Sequence, residues 1–250
     1  MIKIKKVDVY GWEAAIRSMR NPMNSWDKSD SFWKIDDSNY EYEEYYVDGC
    51  GFVIMPNDLK LMRNLAKAGD DHGKFLRMIN VTCDITAPLY WWKEFDTYKV
   101  GTVANSCSTM HCIHKKEFTL DDFSCEHLVK DWVGDNCESM YYWECKSLKE
   151  ELFASPLDGL KVIIGILNVN REAFLRTKDK KYWWQMIQLL PSSYNQMRTV
   201  QLNYQVLKNM YHARKLHKLD CWRDFCTWMK NDLPYFKEIC LIGGVTDNER

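Results

Sequence analysis

The chain has 250 residues, of which 46% are apolar and 28% charged, so it can bury one substantial core and is not of the disordered class. Its 34 basic and 35 acidic residues nearly cancel, which excludes a general electrostatic attraction to nucleic acid or to an anionic membrane. The longest apolar run, VIIGIL near Val162, is too short to span a bilayer. We therefore expect no nucleic-acid partner and no membrane partner.

The first hundred residues predict strands that alternate with short helices. Apolar and charged residues alternate over 2–9, which predicts a strand, and a short helix follows Gly11 and closes at Pro22. The next predicted elements are a loop over 24–50 and a helix that Asn57 or Asp58 caps and Gly69 ends. A buried strand over 75–85, with a helix as the alternative, and an aromatic helix after Pro88 follow.

The loop over 24–50 contains a strongly acidic segment. From Asp36 to Asp48 there are six acidic residues, four tyrosines and no basic residue. A solvated surface insertion is the favoured interpretation, and an acidic patch that binds a partner is the alternative.

The second half of the chain predicts mainly helices. Thr119 begins a capping-box pattern, and apolar residues recur at helical spacing over Pro156–Thr177. The further predicted elements are a mixed region over 128–154, a helix KKYWWQMIQLL that stops at Pro191, an extended segment SSYNQMRTV, helices over about 203–216 and 219–231, and a frayed tail over 241–250. We predict one α+β domain over residues 1–250.

Ten cysteines lie between Cys50 and Cys240 without a C-x-x-C pair, and the N-terminal residues lack the apolar core of a secretion signal. We therefore expect reduced, largely buried thiols and a cytoplasmic protein.

The stretch from Tyr90 to His114 has three interpretations. The first two are a zinc site and a thiolate nucleophile at Cys107. The zinc ligands would come from Cys107, His111, Cys112 and His114, with Cys125 and His127 nearby. The spacings match no familiar zinc motif, so we predict no metal.

The third interpretation is a phosphate-binding turn. The segment KVGTVANSCST, from Lys99 to Thr109, combines a cation, a glycine and several hydroxyl or amide side chains, which suit an anion. A polar turn with capping Ser and Thr residues is the alternative. Near Pro191, amide side chains accompany Arg198, Arg214 and Arg223, which could clamp a phosphate. Surface polarity on two amphipathic helices is the alternative there.

Taken together, these segments resemble the flavin-dependent thymidylate synthases. His72 lies three residues after Gly69, where the family has an early histidine after a glycine. Thr97-Tyr98-Lys99 falls on the first three residues of the family's signature R-H-R-x2-S-x-N-E-x-S-x-R-Y. Thr102 then falls on the first serine, Asn105 on the glutamate and Cys107 on the second serine.

The C-terminal third matches the family better. Leu190-Pro191 fits its Leu-Pro, and Asn203 fits the asparagine of N-x-R-x-L with Gln205 in place of the arginine. Arg214 matches the arginine that closes that helix, and Arg223 matches the arginine of the following motif.

The resemblance implies a curved antiparallel sheet surrounded by helices, and a homotetramer with FAD and dUMP sites shared between subunits. It implies reductive methylation of dUMP to dTMP with methylenetetrahydrofolate and NADPH, in which the flavin performs the chemistry and no side chain is a certain catalytic residue. The implied cofactor-binding residues are His72, Lys99, Thr102 and Asn105, and the implied substrate-binding residues are Arg198, Asn203, Arg214 and Arg223. The alternatives are a non-catalytic nucleotide-binding or oligomeric interaction protein of the same fold, and a zinc or thiol protein.

Overall fold

The computed structural model describes residues 2–33, 51–130 and 155–242. The acidic segment 36–48, most of the mixed region 128–154 and most of the predicted tail 241–250 lie outside these residues. The chain divides into two compact units, the first comprising Met1–Ala87, Trp91–Ser106 and Met197–Arg250 and the second comprising Pro88–Tyr90 and Cys107–Gln196.

The described residues form six strands and nine helices. The strands are β1 (Lys3–Tyr10), β2 (Phe32–Trp33), β3 (Phe52–Val53), β4 (Asn80–Pro88), β5 (Val103–Ser106) and β6 (Asn195–Asn203). The helices are α1 (Trp12–Arg20), α2 (Pro56–Lys67), α3 (Leu89–Phe95), α4 (Thr109–Cys112), α5 (Pro156–Thr177), α6 (Lys180–Leu189), α7 (Tyr204–Arg214), α8 (Asp220–Asp232) and α9 (Phe236–Cys240). None of these helices is long and apolar enough to cross a membrane.

The main sheet has the strand order β1-β4-β6-β5. β1 pairs antiparallel with β4, and β5 pairs antiparallel with β6. β4 and β6 also run antiparallel, because Thr199 bonds to Asp84 while Tyr204 N donates to Ile79 O. Alternate residues of β4 are buried, so one face of this central strand packs on the core. The predicted α+β class with an antiparallel sheet and surrounding helices is confirmed.

An aromatic core in the first unit holds the part of α3 from Trp91 to Phe95. Trp91 is fully buried, and its ring lies 4.8 Å from that of Trp222 and 5.6 Å from that of Phe225, both on α8. Burial of such rings contributes about 1.5–3 kcal/mol each. α3 is therefore a rigid support for the loop that follows it.

The second unit is built on α5 and α6, which pack against each other. Ser155 caps α5 by accepting a hydrogen bond from Asp158 N. The hydrophobic core of the second unit consists of Ile113, Phe118, Phe123, Leu160, Leu167 and Met186.

Most predicted elements are confirmed, and two details are wrong. The strand predicted over 75–85 is a 3-10 turn over Gly73–Arg77 followed by β4. Met55, rather than Asn57 or Asp58, occupies the N-cap of α2, and Asp58 is buried. The extended chain predicted in SSYNQMRTV is confirmed, and it forms most of the sheet strand β6.

Candidate functional site

The loop between α3 and β5 carries the predicted phosphate-binding residues. Tyr98 N donates to Phe95 O at 3.0 Å, and the hydroxyl of Thr102 donates to Tyr98 O, so the loop closes on the end of α3. Gly101 has a φ of 77°, and a Cβ there would lie 3.0 Å from Asn203 Nδ2. The backbone of the loop therefore passes directly over Asn203.

A hollow of about 320 Å³ lies beside this loop. Its lining includes Asp96, Lys99 and Thr102 together with the buried Phe95 and the partly buried Tyr98. Lys99 is exposed, and no carboxylate among the described residues lies within ion-pair distance of it. The hollow thus offers one available cation beside a ring surface.

Glu94 is the centre of a polar network in the same unit. Its Oε2 accepts hydrogen bonds from Arg214 Nη1 at 2.7 Å and Trp222 Nε1 at 2.9 Å, and lies 3.3 Å from His217 Nε2. Arg214 Nε donates to the Tyr98 hydroxyl at 2.9 Å, and its guanidinium lies 4.8 Å from the Trp222 ring centre. Arg214 therefore has both an ionic and an aromatic partner within its own chain.

Arg198 has a similar environment. Its Nη1 lies 2.7 Å from Asp96 Oδ1, and its guanidinium lies 4.3 Å from the Trp92 ring centre. The Arg198 side chain is 15% exposed, whereas that of Asp96 is 50% exposed. Asp96, which also lines the hollow, is thus the accessible member of the pair.

Arg223 forms hydrogen bonds only with nearby residues of its own segment among those the structure describes. Its Nη1 donates to the carbonyl oxygens of His217 at 2.6 Å and Lys218 at 3.0 Å, and its Nη2 pairs with Asp220. All three predicted phosphate-binding arginines therefore already contact a carboxylate.

The end of α3 brings together five of the predicted site residues from two distant parts of the chain. These residues are Lys99, Thr102, Arg198, Asn203 and Arg214. Asn203 accepts from Val206 N at 3.0 Å and so caps α7.

His72 and Asn105 are not joined to this group by any side-chain hydrogen bond or ion pair among the described residues. Both are exposed; His72 precedes the Gly73–Arg77 turn, and Asn105 lies opposite Thr199 in the β5–β6 ladder. Sequence reasoning did not identify Glu94, Asp96 or Tyr98, although the acidic and aromatic spacing in KEFDTYK was available as a signal.

The Cys/His cluster lies in the second unit. Among the described residues, no group of three or more His, Cys, Asp or Glu side chains is placed to hold a metal. Cys107 and Cys112 are exposed, whereas the ring of His114 packs 5.0 Å from that of Phe174. His114 is therefore part of the packing around α5.

No protein-family model and no curated protein matches the chain. Two solved structures of flavin-dependent thymidylate synthase ThyX from Helicobacter pylori, each with FAD and dUMP, are similar to it. Each similarity covers 97% of this chain and 100% of that chain with a TM-score of 0.59, at 13% identity for one structure and 14% for the other. The chain therefore has the fold of the flavin-dependent thymidylate synthases.

Proposed function

We propose that this chain is a divergent flavin-dependent thymidylate synthase-like protein that binds FAD and dUMP and methylates dUMP reductively, with methylenetetrahydrofolate and NADPH as co-substrates. The observation that carries the proposal is the meeting of Lys99, Thr102, Arg198, Asn203 and Arg214 at the end of α3. The fold supports it, since both similar structures hold FAD and dUMP.

The residues at the hollow suit a phosphate-bearing part of the cofactor. Lys99 is an exposed cation, and Thr102 lines the hollow beside it. The Thr102 hydroxyl, which donates to Tyr98 O in the structure, would donate to the phosphate in place of that bond. The volume of about 320 Å³ is near the lower end for small-molecule sites. Lys99 and Thr102 would hold a phosphate, and His72 and Asn105 are proposed to contact other parts of FAD. FAD, when bound, supplies the redox chemistry of the reaction.

Arg198, Asn203, Arg214 and Arg223 are proposed to orient the nucleotide. A phosphate that approaches Arg198 competes with the Asp96 carboxylate, and one that approaches Arg214 competes with Glu94. Each charge-assisted hydrogen bond to a phosphate contributes about 1.5–3 kcal/mol. We therefore expect weaker dUMP binding than free arginines would provide, and we propose a homotetramer in which a neighbouring subunit adds further contacts.

A non-catalytic nucleotide-binding protein of the same fold is the second candidate. The specific observation in its favour is that Asp96, Glu94 and Asp220 neutralise the three arginines. Such a site retains shape and ring surfaces for a nucleotide but has little positive charge for two anionic ligands at once.

The first experiment is reconstitution with FAD, followed by a visible absorption spectrum of the desalted protein. The proposal expects a bound flavin spectrum, a thermal shift with dUMP, and release of tritium from C5-labelled dUMP when all co-substrates are present. Lys99→Gln should weaken FAD binding, whereas Lys74→Gln, at an exposed lysine outside the hollow, is the matched control. A thermal shift with dUMP in a protein that binds no flavin would support the second candidate. A protein that binds neither FAD nor dUMP would contradict both candidate functions.

A further inference from the structure

A second hollow, of about 300 Å³, lies in the first unit between α1 and the β2–β3 pair. We propose that it binds a purine nucleoside monophosphate, that is, a planar ring with N–H donors that carries one anionic group. None of its lining residues belongs to the hollow beside Lys99. The proposal therefore goes beyond the function proposed above and does not depend on it.

The walls of this hollow are aromatic and unusually exposed. The side chains of Trp26 and Trp33 are 50% and 53% exposed, and Phe32 is 39% exposed. The fourth ring, Phe52, is buried and packs edge-on against Trp33 with 5.2 Å between ring centres. Grouped, accessible rings of this kind provide a stacking surface for a flat ligand.

Both indole rings are held in place by their own N–H groups. Trp26 Nε1 donates to Asn21 Oδ1 at 2.8 Å, and Trp33 Nε1 donates to Glu13 Oε2 at 2.9 Å. Because the N–H groups are already satisfied, the rings present only their π surfaces to a ligand. The two tryptophan side chains therefore lose little conformational entropy when a ligand stacks on them.

The polar groups of the hollow define the rest of the ligand. Glu13 and Arg17 lie one helical turn apart on α1 and both line the hollow. Glu13 Oε2 accepts from Trp33, and Glu13 Oε1, which accepts no hydrogen bond from the described residues, would accept N–H groups from a purine ring. Arg17 is exposed, and no described carboxylate lies within ion-pair distance of it, so its guanidinium is available for a phosphate.

These features together favour a nucleotide over a purely apolar ligand. An apolar ligand would leave Arg17 and Glu13 unused, and a simple anion would leave the rings uncovered. The single available guanidinium and the size of the hollow favour one phosphate.

The test is calorimetric titration of the full-length protein with GMP, guanosine and ribose 5-phosphate. We expect GMP to bind at least roughly tenfold more tightly than either fragment, because stacking and the charged bond each contribute more than about 1.4 kcal/mol. Arg17→Gln should lower the affinity for GMP roughly tenfold and leave the affinity for guanosine unchanged. Trp33→Ala and Trp26→Ala should weaken both GMP and guanosine.

The matched controls are Arg176→Gln and Trp184→Ala, at exposed positions of α5 and α6. Thermal unfolding of each variant separates loss of folding from loss of binding. Lys99→Gln should leave GMP binding intact, and Arg17→Gln should leave FAD and dUMP binding intact. The proposal is overturned if wild-type protein does not bind GMP at millimolar concentration, or if Lys99→Gln abolishes GMP binding while Arg17→Gln does not.

Discussion

Arg214 donates a hydrogen bond to Glu94 across a distance of 2.7 Å, although the two residues are 120 positions apart in the chain. The same carboxylate oxygen accepts from the indole of Trp222. This pair joins α3 to α7 and α8 in the first unit. It also gives a residue that was predicted to bind substrate a role in holding helices together.

The first prediction concerns this carboxylate. Glu94→Gln removes the charge but keeps one oxygen acceptor, so we expect the free energy of unfolding to fall by about 1–2 kcal/mol, since hydrogen bonds to charged groups are stronger than neutral ones. Urea denaturation followed by circular dichroism measures the loss. Asp158→Asn removes a solvent-accessible carboxylate that pairs with Lys161 and accepts from Ser155 Oγ, and it should lower stability less than Glu94→Gln does, because solvent screens its charge. Equal effects of the two substitutions would contradict a structural role for Glu94.

The second prediction concerns the competition between Asp96 and a phosphate. Asp96→Asn removes the charge that pairs with Arg198 and that lines the hollow with Lys99. Because the repulsion between the Asp96 carboxylate and the phosphate disappears, and the charge that competes for Arg198 is removed, we expect dUMP affinity to rise several-fold, by about 1 kcal/mol. Isothermal titration measures the change.

Asp70→Asn is the control for Asp96→Asn, because Asp70 pairs with Lys208 and does not line the hollow. Unchanged or weaker dUMP binding in Asp96→Asn would remove Arg198 and Asp96 from the proposed site. A rise of similar size in both variants would indicate only a general effect of net charge.

The third prediction concerns the buried ion pair between Arg20 and Asp58, neither of which lines the hollow beside Lys99. Asp58 is fully buried and pairs with Arg20 Nη2 at 2.6 Å. Burial alone raises the pKa of Asp58, but hydrogen bonds from Ser31, Ser29 and Arg20 outweigh it and hold the pKa below its ordinary value of 3.8. Removing one partner leaves the other charge uncompensated, so Asp58→Asn should lower the free energy of unfolding by about 3–5 kcal/mol.

The depressed pKa of Asp58 also has a consequence for acid stability. The unfolded chain binds this proton more readily than the folded chain does. The contribution of Asp58 is therefore fully present above pH 3.8 and is lost as the pH falls through the lower pKa of the folded state. Urea unfolding between pH 6 and pH 2.5 should show a smaller acid-induced loss in Asp58→Asn than in the wild type. Parallel pH profiles would contradict this.

The fourth prediction compares two glycines. Gly101 has a φ of 77°, and an added Cβ would lie 3.0 Å from both Asn203 and Val206, so Gly101→Ala should cost at least about 1–2 kcal/mol of stability. Gly165 lies inside α5 with no atom within 4 Å of an added Cβ, so Gly165→Ala should stabilise by about 0.5–1 kcal/mol. Thermal unfolding of both variants checks the opposite signs. A neutral Gly101→Ala would show that the loop relaxes away from Asn203.

The elements that local signals specify were predictable from the chain alone. α5 begins and ends as predicted because Ser155 and Pro156 form its start and the apolar spacing through Leu167 defines its buried face. The capping box of Thr119 and Asp122 is likewise confirmed. These interactions join residues within one or two helical turns, so their geometry follows from sequence spacing.

The partners of the site residues were decided only by the tertiary structure. The pairing of β6 between β4 and β5 brings Arg198 to Asp96, and the packing of α8 on α3 brings Glu94 to Arg214 and Trp222. No local pattern encodes a hydrogen bond between residues about a hundred positions apart. The sequence therefore identified the arginines of a possible phosphate site, and only the folded chain showed that carboxylates already contact them.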